Sequence, residues 1–323
     1  MNKFPQSAGD CAVHSVHEFV FSVPDLAQAH HFYDSFGLDA RMEEGALALY
    51  AHGHPHRWGR VVPGAEKSLL WLTLGIYARD VARFEARLAA LGIGRIAQPA
   101  GADAAGIWLS TPDGLPLCLL VAEKSSPNAG SVRTFAPESG GAGRAPQRSA
   151  LAKVRPRYLS HILLFTPDVS GSIAFFSEVL GLRLSDRSGD IVAFLHSPHG
   201  SDHHLIAFAK SHTYGLHHSS WDVGSFDEVG AGNQQMSEAG YPDGWGIGRH
   251  VLGSNYFRYV RDPWGSYAEY SFDIDYIPST LAWPAGDYPP EDSLYVWGPA
   301  VPAEFIDNHE RHSLPDAAVG VPH

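Results

Sequence analysis

Two imidazoles and one carboxylate on one face, with the opposite positions open, are what a mononuclear oxygen-activating iron centre needs. The second half of this 323-residue chain carries such a donor set. His161 opens the apolar run HILLFTPD, a His217-His218 pair stands before SSWDV, and Glu269 lies inside SYAEYSF. Glu269 sits among Tyr267, Tyr270 and Phe272, where a carboxylate is costly to bury unless it is paired or binds a metal. A lone buried histidine is more often a satisfied core residue than a ligand. The weight therefore falls on the three together, and either histidine of the 217/218 pair can supply the second donor. The donors are separated by 57 and 51 residues, so the fold must gather three strands.

The elements that could do this recur along the chain. Residues 19–38 (FVFSVPDLAQAHHFYDSFGL) and 162–182 (ILLFTPDVSGSIAFFSEVLGL) share an apolar strand, a Pro-Asp turn, an amphipathic helix ending in aromatics, and Gly-Leu. A second match pairs residues 108–121 with 257–272, each two strands joined by an Asp/Pro/Gly turn. The repeat is about 145 to 150 residues, as expected of an internal duplication. Within each half the pattern reads β-α-β-β-β, with helices at 26–36 and 169–179 and further helices near 78–91 and 226–239. The class is α+β.

Composition shifts divide the chain into residues 1–124, a Ser/Pro/Gly/Arg-rich linker at 125–157, residues 158–278, and a Pro/Trp-rich arm at 279–323. The arm reads as an extended segment packed on a domain or a neighbouring subunit. The positions matching the three donors in the first half are Glu18, Trp71 and Cys118, a set that cannot make the same site. That half reads as a metal-free copy serving packing or assembly, and with the arm it points to a homo-oligomer.

The bulk numbers exclude other classes. A 44% hydrophobic, 18% charged chain can bury a core, and a formal charge of −12 without a basic block excludes nucleic acid as a partner. Two cysteines cannot staple a fold of this size, and no apolar run approaches the ~20 residues of a membrane span. The opening residues lack the apolar core of a signal peptide, so a cytoplasmic protein with no membrane partner is expected. Of the 19 histidines, His52, His54, His56, His309, His312 and His323 lie in polar or Gly/Pro-rich segments and are expected to be solvated.

Four ordered motifs carry a family resemblance: H-x5-P-D at His161, H-H-x2-A ending on Ala207, the His pair at 217/218, and G-R-H-x8-Y-x9-E from Gly248 to Glu269. With these the chain resembles the type I extradiol dioxygenases of the vicinal oxygen chelate superfamily. The resemblance implies two domains, each of paired βαβββ modules forming a curved mixed sheet around a cavity. It further implies that His161, His218 and Glu269 are the metal ligands, since the family places its second histidine five residues before the strand residue matching Val223. His217 is then expected to face away.

By the same resemblance His204 is the acid/base residue beside dioxygen, while His250 and Tyr259 hydrogen-bond the catecholic oxygens. The metal is Fe(II), with Mn(II) accepted by the same N/O donors. The substrates are a catechol and O2, and the product is a ring-opened semialdehyde carrying both oxygen atoms. One departure concerns the rim: many relatives carry an Asp-His pair where this chain has Gly253, Ser254 and Asn255. Trp221, Phe194, His196 and Tyr256 are expected around the ring pocket. Two rival activities remain: a glyoxalase-like isomerase, whose four ligands usually come from both modules, and a non-catalytic protein that sequesters an aromatic molecule.

Overall fold

The computed structural model describes residues 10–312 except 104, 136–142 and 144. The first half contributes β1 (Ser15–Val23), α1 (Leu26–Phe36), β2 (Asp39–Glu43), β3 (Ala46–Tyr50), β4 (Arg57–Pro63), β5 (Ser68–Ile76), α2 (Val81–Ala90), β6 (Ile107–Ser110) and β7 (Pro116–Val121). These seven strands form one mixed sheet in the order β2-β3-β4-β1-β5-β7-β6. The second half contributes β8 (Leu159–Thr166), α3 (Val169–Glu178), β9 (Arg183–Ser188), β10 (Val192–His196), β11 (Ser201–Asp202) and β12 (Ile206–Lys210). Then follow β13 (Gly215–Asp222), α4 (Phe226–Glu238), β14 (Gly244–His250), β15 (Tyr256–Arg261), β16 (Tyr267–Phe272), β17 (Tyr276–Ile277), β18 (Gly286–Asp287), α5 (Pro290–Ser293) and β19 (Tyr295–Trp297). Ten of these strands make the second sheet, β18-β9-β10-β12-β8-β13-β16-β15-β14-β19. The α+β class and the paired mixed sheets follow the expected architecture.

The Pro-Asp turns work as helix starts. Asp25 accepts the amides of Ala27 and Gln28, and Asp168 accepts that of Gly171, so each carboxylate satisfies first-turn donors. Gly37 ends α1 in the left-handed region at φ 103°, where a Cβ would fall 2.1 Å from the carbonyl oxygen of Val154. In one module the expected pattern fails. After α2 only two strands follow among the described residues, because the segment rich in Gly92, Gly94, Pro99 and Gly101 runs without regular structure.

The arm packs on its own chain. Strand β18 pairs with β9 and β19 with β14, which extends the second sheet at both ends. Farther on, Glu310 is 1% exposed, 2.5 Å from the Lys67 ammonium, and accepts the amides of Leu69 and Leu216. That carboxylate ties the arm to both halves. His312 is likewise no solvated residue: it stacks on Tyr214 at 3.8 Å and contacts Glu310 at 2.8 Å. His56 is half-buried on the carbonyl of His17, His52, His54 and His309 are exposed, and His323 lies outside the described residues.

Burial raises the Glu310 carboxyl, but Lys67 and the surrounding donors outweigh it and bring it down to about 2. A depressed folded pKa means stability that is complete above the unfolded value near 4.5 and lost as pH falls towards 2, about 3 kcal/mol in all. Lys67→Met leaves the buried carboxylate without its cation. It is expected to cost about 3 kcal/mol in urea unfolding at neutral pH. A change under about 0.5 kcal/mol would show that the pair does not fasten the arm.

Candidate metal centre

His161 on β8, His218 on β13 and Glu269 on β16 come from three adjacent strands of the second sheet. The register explains how. His161 pairs with Ser220, and Ser220 with Glu269, while His218 lies two residues back along β13 on the same face. Their ligand atoms all lie within 4.8 Å of one another and all three residues are buried. Glu269 Oε2 is 3.3 Å from His161 Nε2 and 3.6 Å from His218 Nε2. His218 Nε2 and Glu269 Oε2 are buried without hydrogen-bond partners. Two orphaned polar atoms aimed at one point, which is costly in a core, fit a divalent cation there.

The first half repeats the register with other chemistry. Glu18 pairs with Thr73 and Thr73 with Cys118, while Trp71 takes the place of His218. Glu18 is engaged by Arg57 at 2.5 Å and Arg60 at 3.7 Å, and Trp71 meets Trp108 edge-on.

His217 does not face away. The β8–β13 register shifts between Leu216 and His218, and this bulge turns both consecutive histidines towards one cavity. His217 Nε2 donates to the Phe305 carbonyl at 2.7 Å, so its Nδ1 is left to accept from His218 Nδ1, also at 2.7 Å. That places the His218 lone pair on Nε2, towards the other ligands. His161 is held at Nδ1 by Ser160 at 3.3 Å, and Ser160 donates to Asp202 at 2.6 Å. Asn255, in the segment that departs from the family motif, donates to Glu269 Oε1 at 3.1 Å. Asn255→Ala is expected to weaken metal affinity about 10- to 100-fold in a chelator competition, and unchanged affinity would remove it from the site.

The cavity above these residues is about 130 Å³ and is walled mainly by apolar side chains, among them Leu163, Val192, Phe194, Leu252, Val301 and Phe305. His204, His250 and Tyr259 all line it. His204 packs on the His161 ring at 3.9 Å and on Phe194 at 4.8 Å. Tyr259 pairs directly across from Glu269, as an even spacing across a tight turn allows, and its hydroxyl lies 2.9 Å from His250 Nε2. His250 Nδ1 donates to the Leu294 carbonyl at 2.8 Å, so Nε2 accepts from Tyr259.

Of the four residues expected around the ring pocket, only Phe194 is there. Trp221 is fully buried beneath the sheet against Trp58, His196 binds Ser185 in the core, and Tyr256 is taken by Arg249 on its ring and hydroxyl. Being near in sequence to a site strand does not decide which face a side chain takes.

Burial and the surrounding imidazoles push His204 and His218 well below the usual imidazole range, and burial lowers His250 as well. His217 is brought down to about 4 by burial. For Glu269, burial raises the carboxyl, and His161, His250 and Ser220 together lower it by more, leaving it below the ordinary range. Burial, then the charge of Glu269, pushes Tyr259 well up, so it stays a phenol. Neutral imidazoles and an ionised carboxylate are the forms that ligate a metal.

A curved mixed sheet in each half, with two imidazoles and a carboxylate meeting inside one of them where they could hold a metal ion, defines the vicinal-oxygen-chelate class. Residues 158–270 match the Glyoxalase/Bleomycin resistance protein/Dioxygenase superfamily. The chain belongs to the type I extradiol dioxygenases of that superfamily: Metapyrocatechase 2 of Cupriavidus necator is 48% identical over 299 residues, covering 93% of each chain. The Mn(II)-bound glyoxalase from Novosphingobium aromaticivorans aligns with a TM-score of 0.74 at 25% identity, covering 94% of this chain and 97% of that one. An extradiol ring-cleaving dioxygenase from B. fuscum aligns at 0.72 with 19% identity over 94% of this chain and 84% of its own, a likeness of fold.

Proposed function

We propose that this protein is an Fe(II)-dependent catechol dioxygenase that opens a single aromatic ring beside its two hydroxyls, using O2, to a hydroxymuconic-semialdehyde-type product in aromatic degradation. The observation that carries the reading is the pair of orphaned atoms, His218 Nε2 and Glu269 Oε2, buried where three ligand side chains converge beside a mainly apolar cavity. His161, His218 and Glu269 hold the metal. A bound Fe(II) supplies Lewis acidity towards the catechol oxygens and a redox-active centre between substrate and dioxygen. Tyr259, kept as a phenol, and His250, oriented by the Leu294 carbonyl, position the catechol oxygens by hydrogen bonds. His204, on the opposite side against His161, takes and returns a proton near dioxygen. The apolar walls exclude water, so each of these dipoles acts in a low-dielectric space.

The cavity also speaks to the substrate. Its volume is small beside the roughly 300–1,000 Å³ of pockets for drug-sized ligands, which favours a single ring over a biphenyl. Among the described residues no Lys, Arg, Asp or Glu lines it. A ring carboxylate would be buried without a charged side chain to pair it, at a cost of about 3 kcal/mol, which is about 100-fold. Catechol and methylcatechols are therefore expected to exceed a carboxylated catechol in kcat/KM by about that factor. The test is oxygen uptake and yellow product formation with a catechol panel, after anaerobic loading with Fe(II) or Mn(II). Iron-loaded protein that consumes no oxygen with any catechol would overturn the reading, and turnover of a glutathione hemithioacetal without oxygen uptake would place the chain with the isomerases instead.

Cytoplasmic location and assembly as a homo-oligomer belong to the same reading. Among the described residues no helix is long and apolar enough to cross a membrane. A monomeric mass by light scattering would remove the homo-oligomer from that reading.

A further inference from the structure

His204 reaches the cavity from the end of a buried chain of three residues. We propose that Asp186 and His203 are positioning residues that hold His204 with its proton on Nδ1 and its Nε2 lone pair turned to the cavity. What His204 does there rests on the extradiol reading above; how it is held rests on hydrogen-bond geometry.

The chain starts at a carboxylate that can only accept. Asp186, on β9 and 3% exposed, receives the Gly286 amide on Oδ1 at 2.8 Å and the Trp283 indole N–H on Oδ2 at 3.2 Å. The same Oδ2 stands 2.8 Å from His203 Nε2. Amide and indole N–H groups can only donate, and with a donor on each oxygen the ionised carboxylate accepts from His203 Nε2 as well. Asp186 is therefore an acceptor throughout, and His203 Nε2 carries a hydrogen. A neutral His203 then presents a lone pair at Nδ1, which lies 3.1 Å from His204 Nδ1. Two lone pairs at that distance repel, so His204 Nδ1 is the donor. Its Nε2 is left as a base towards the cavity it lines.

The arrangement is held firmly. His203 is fully buried, its amide donates to the Asp275 carbonyl at 2.6 Å, and its own carbonyl accepts from Ser185 Oγ. Trp283 stands edge-on to the His203 ring at 5.3 Å, so the arm both supplies donors to Asp186 and covers the relay. A second His-His pair in the same domain works alike: the Phe305 carbonyl sets His217, and His217 sets the ligand His218. In both pairs a fixed acceptor two residues removed decides which nitrogen faces the chemistry.

The test combines kinetics with a direct view of the protons. In Zn(II)-loaded protein labelled with 15N-histidine, nitrogen shifts should show His204 protonated on Nδ1 and His203 on Nε2. His203→Leu should lower kcat about 10- to 100-fold while KM and metal content stay within about 2-fold. His203→Asn places an amide oxygen where Nδ1 stood and should return kcat to within about 3-fold of wild type. Wild-type His204 protonated on Nε2, unchanged kcat in His203→Leu, or equal losses in the Leu and Asn variants would each overturn the proposal. If the Leu variant fails to fold, the spectrum and the Asn variant still decide. A protein that cleaved no catechol would sink the extradiol reading and leave the 15N spectrum to judge the tautomer by itself.

Discussion

Glu269→Ala is expected to empty the metal centre and stop turnover while leaving the metal-free fold intact. Outer partners of a metal ligand cost about 10- to 100-fold when removed, and loss of the only anionic donor should exceed that. Metal content by plasma emission should fall to background after desalting, and oxygen uptake with it. Stability without metal should change little. In the metal-free protein Glu269 is fully buried, and its desolvation is offset by Asn255 on Oε1 and by His161 Nε2 3.3 Å from Oε2. Removing it forfeits the cost and the contacts together, so the metal-free variant should melt close to metal-free wild type. Only wild type should gain stability when metal is added. A variant that keeps stoichiometric metal would sink the ligand assignment, and one that melts far lower without metal would mean that Glu269 serves the core instead.

Much of this centre was legible because its residues are short-range signals. Glu269 announces itself by standing among Tyr267, Tyr270 and Phe272, and Tyr259 by an even spacing that the β15–β16 register turns into a direct pair. Even the Glu18, Trp71 and Cys118 counterparts fall in the register that the proposed ligands occupy, since both sheets are built from the same repeat. What was not legible depends on contacts over long separations. No local pattern tells that the Phe305 and Leu294 carbonyls will orient His217 and His250, or that Glu310 will reach Lys67 across 243 residues. The His217 orientation failed for a different reason. Alternation along a strand predicts that neighbours face opposite ways, and a one-residue bulge cancels that rule without a signature in the sequence. Trp221 and His196 were misplaced because a sheet buried on both faces gives apolar or aromatic residues no preference between cavity and core.

His204→Ala should separate the proton chemistry from the metal. The ring packs on His161, so truncation could in principle loosen a ligand. Two features oppose that: His161 is held from its other side by Ser160, and its strand is hydrogen-bonded on both edges, by β12 and β13. Metal content and KM should therefore stay within about 3-fold, while kcat falls about 10²- to 10⁴-fold, the range of a removed general acid or base. His204→Gln is the control for volume and hydrogen bonding, because an amide fills most of the space and donates a hydrogen bond but cannot take a proton at neutral pH. Near-equal losses in the Ala and Gln variants assign the effect to proton transfer. Recovery in Gln would assign it to packing or simple hydrogen bonding, and loss of metal in both would move His204 from the proton path to the support of His161.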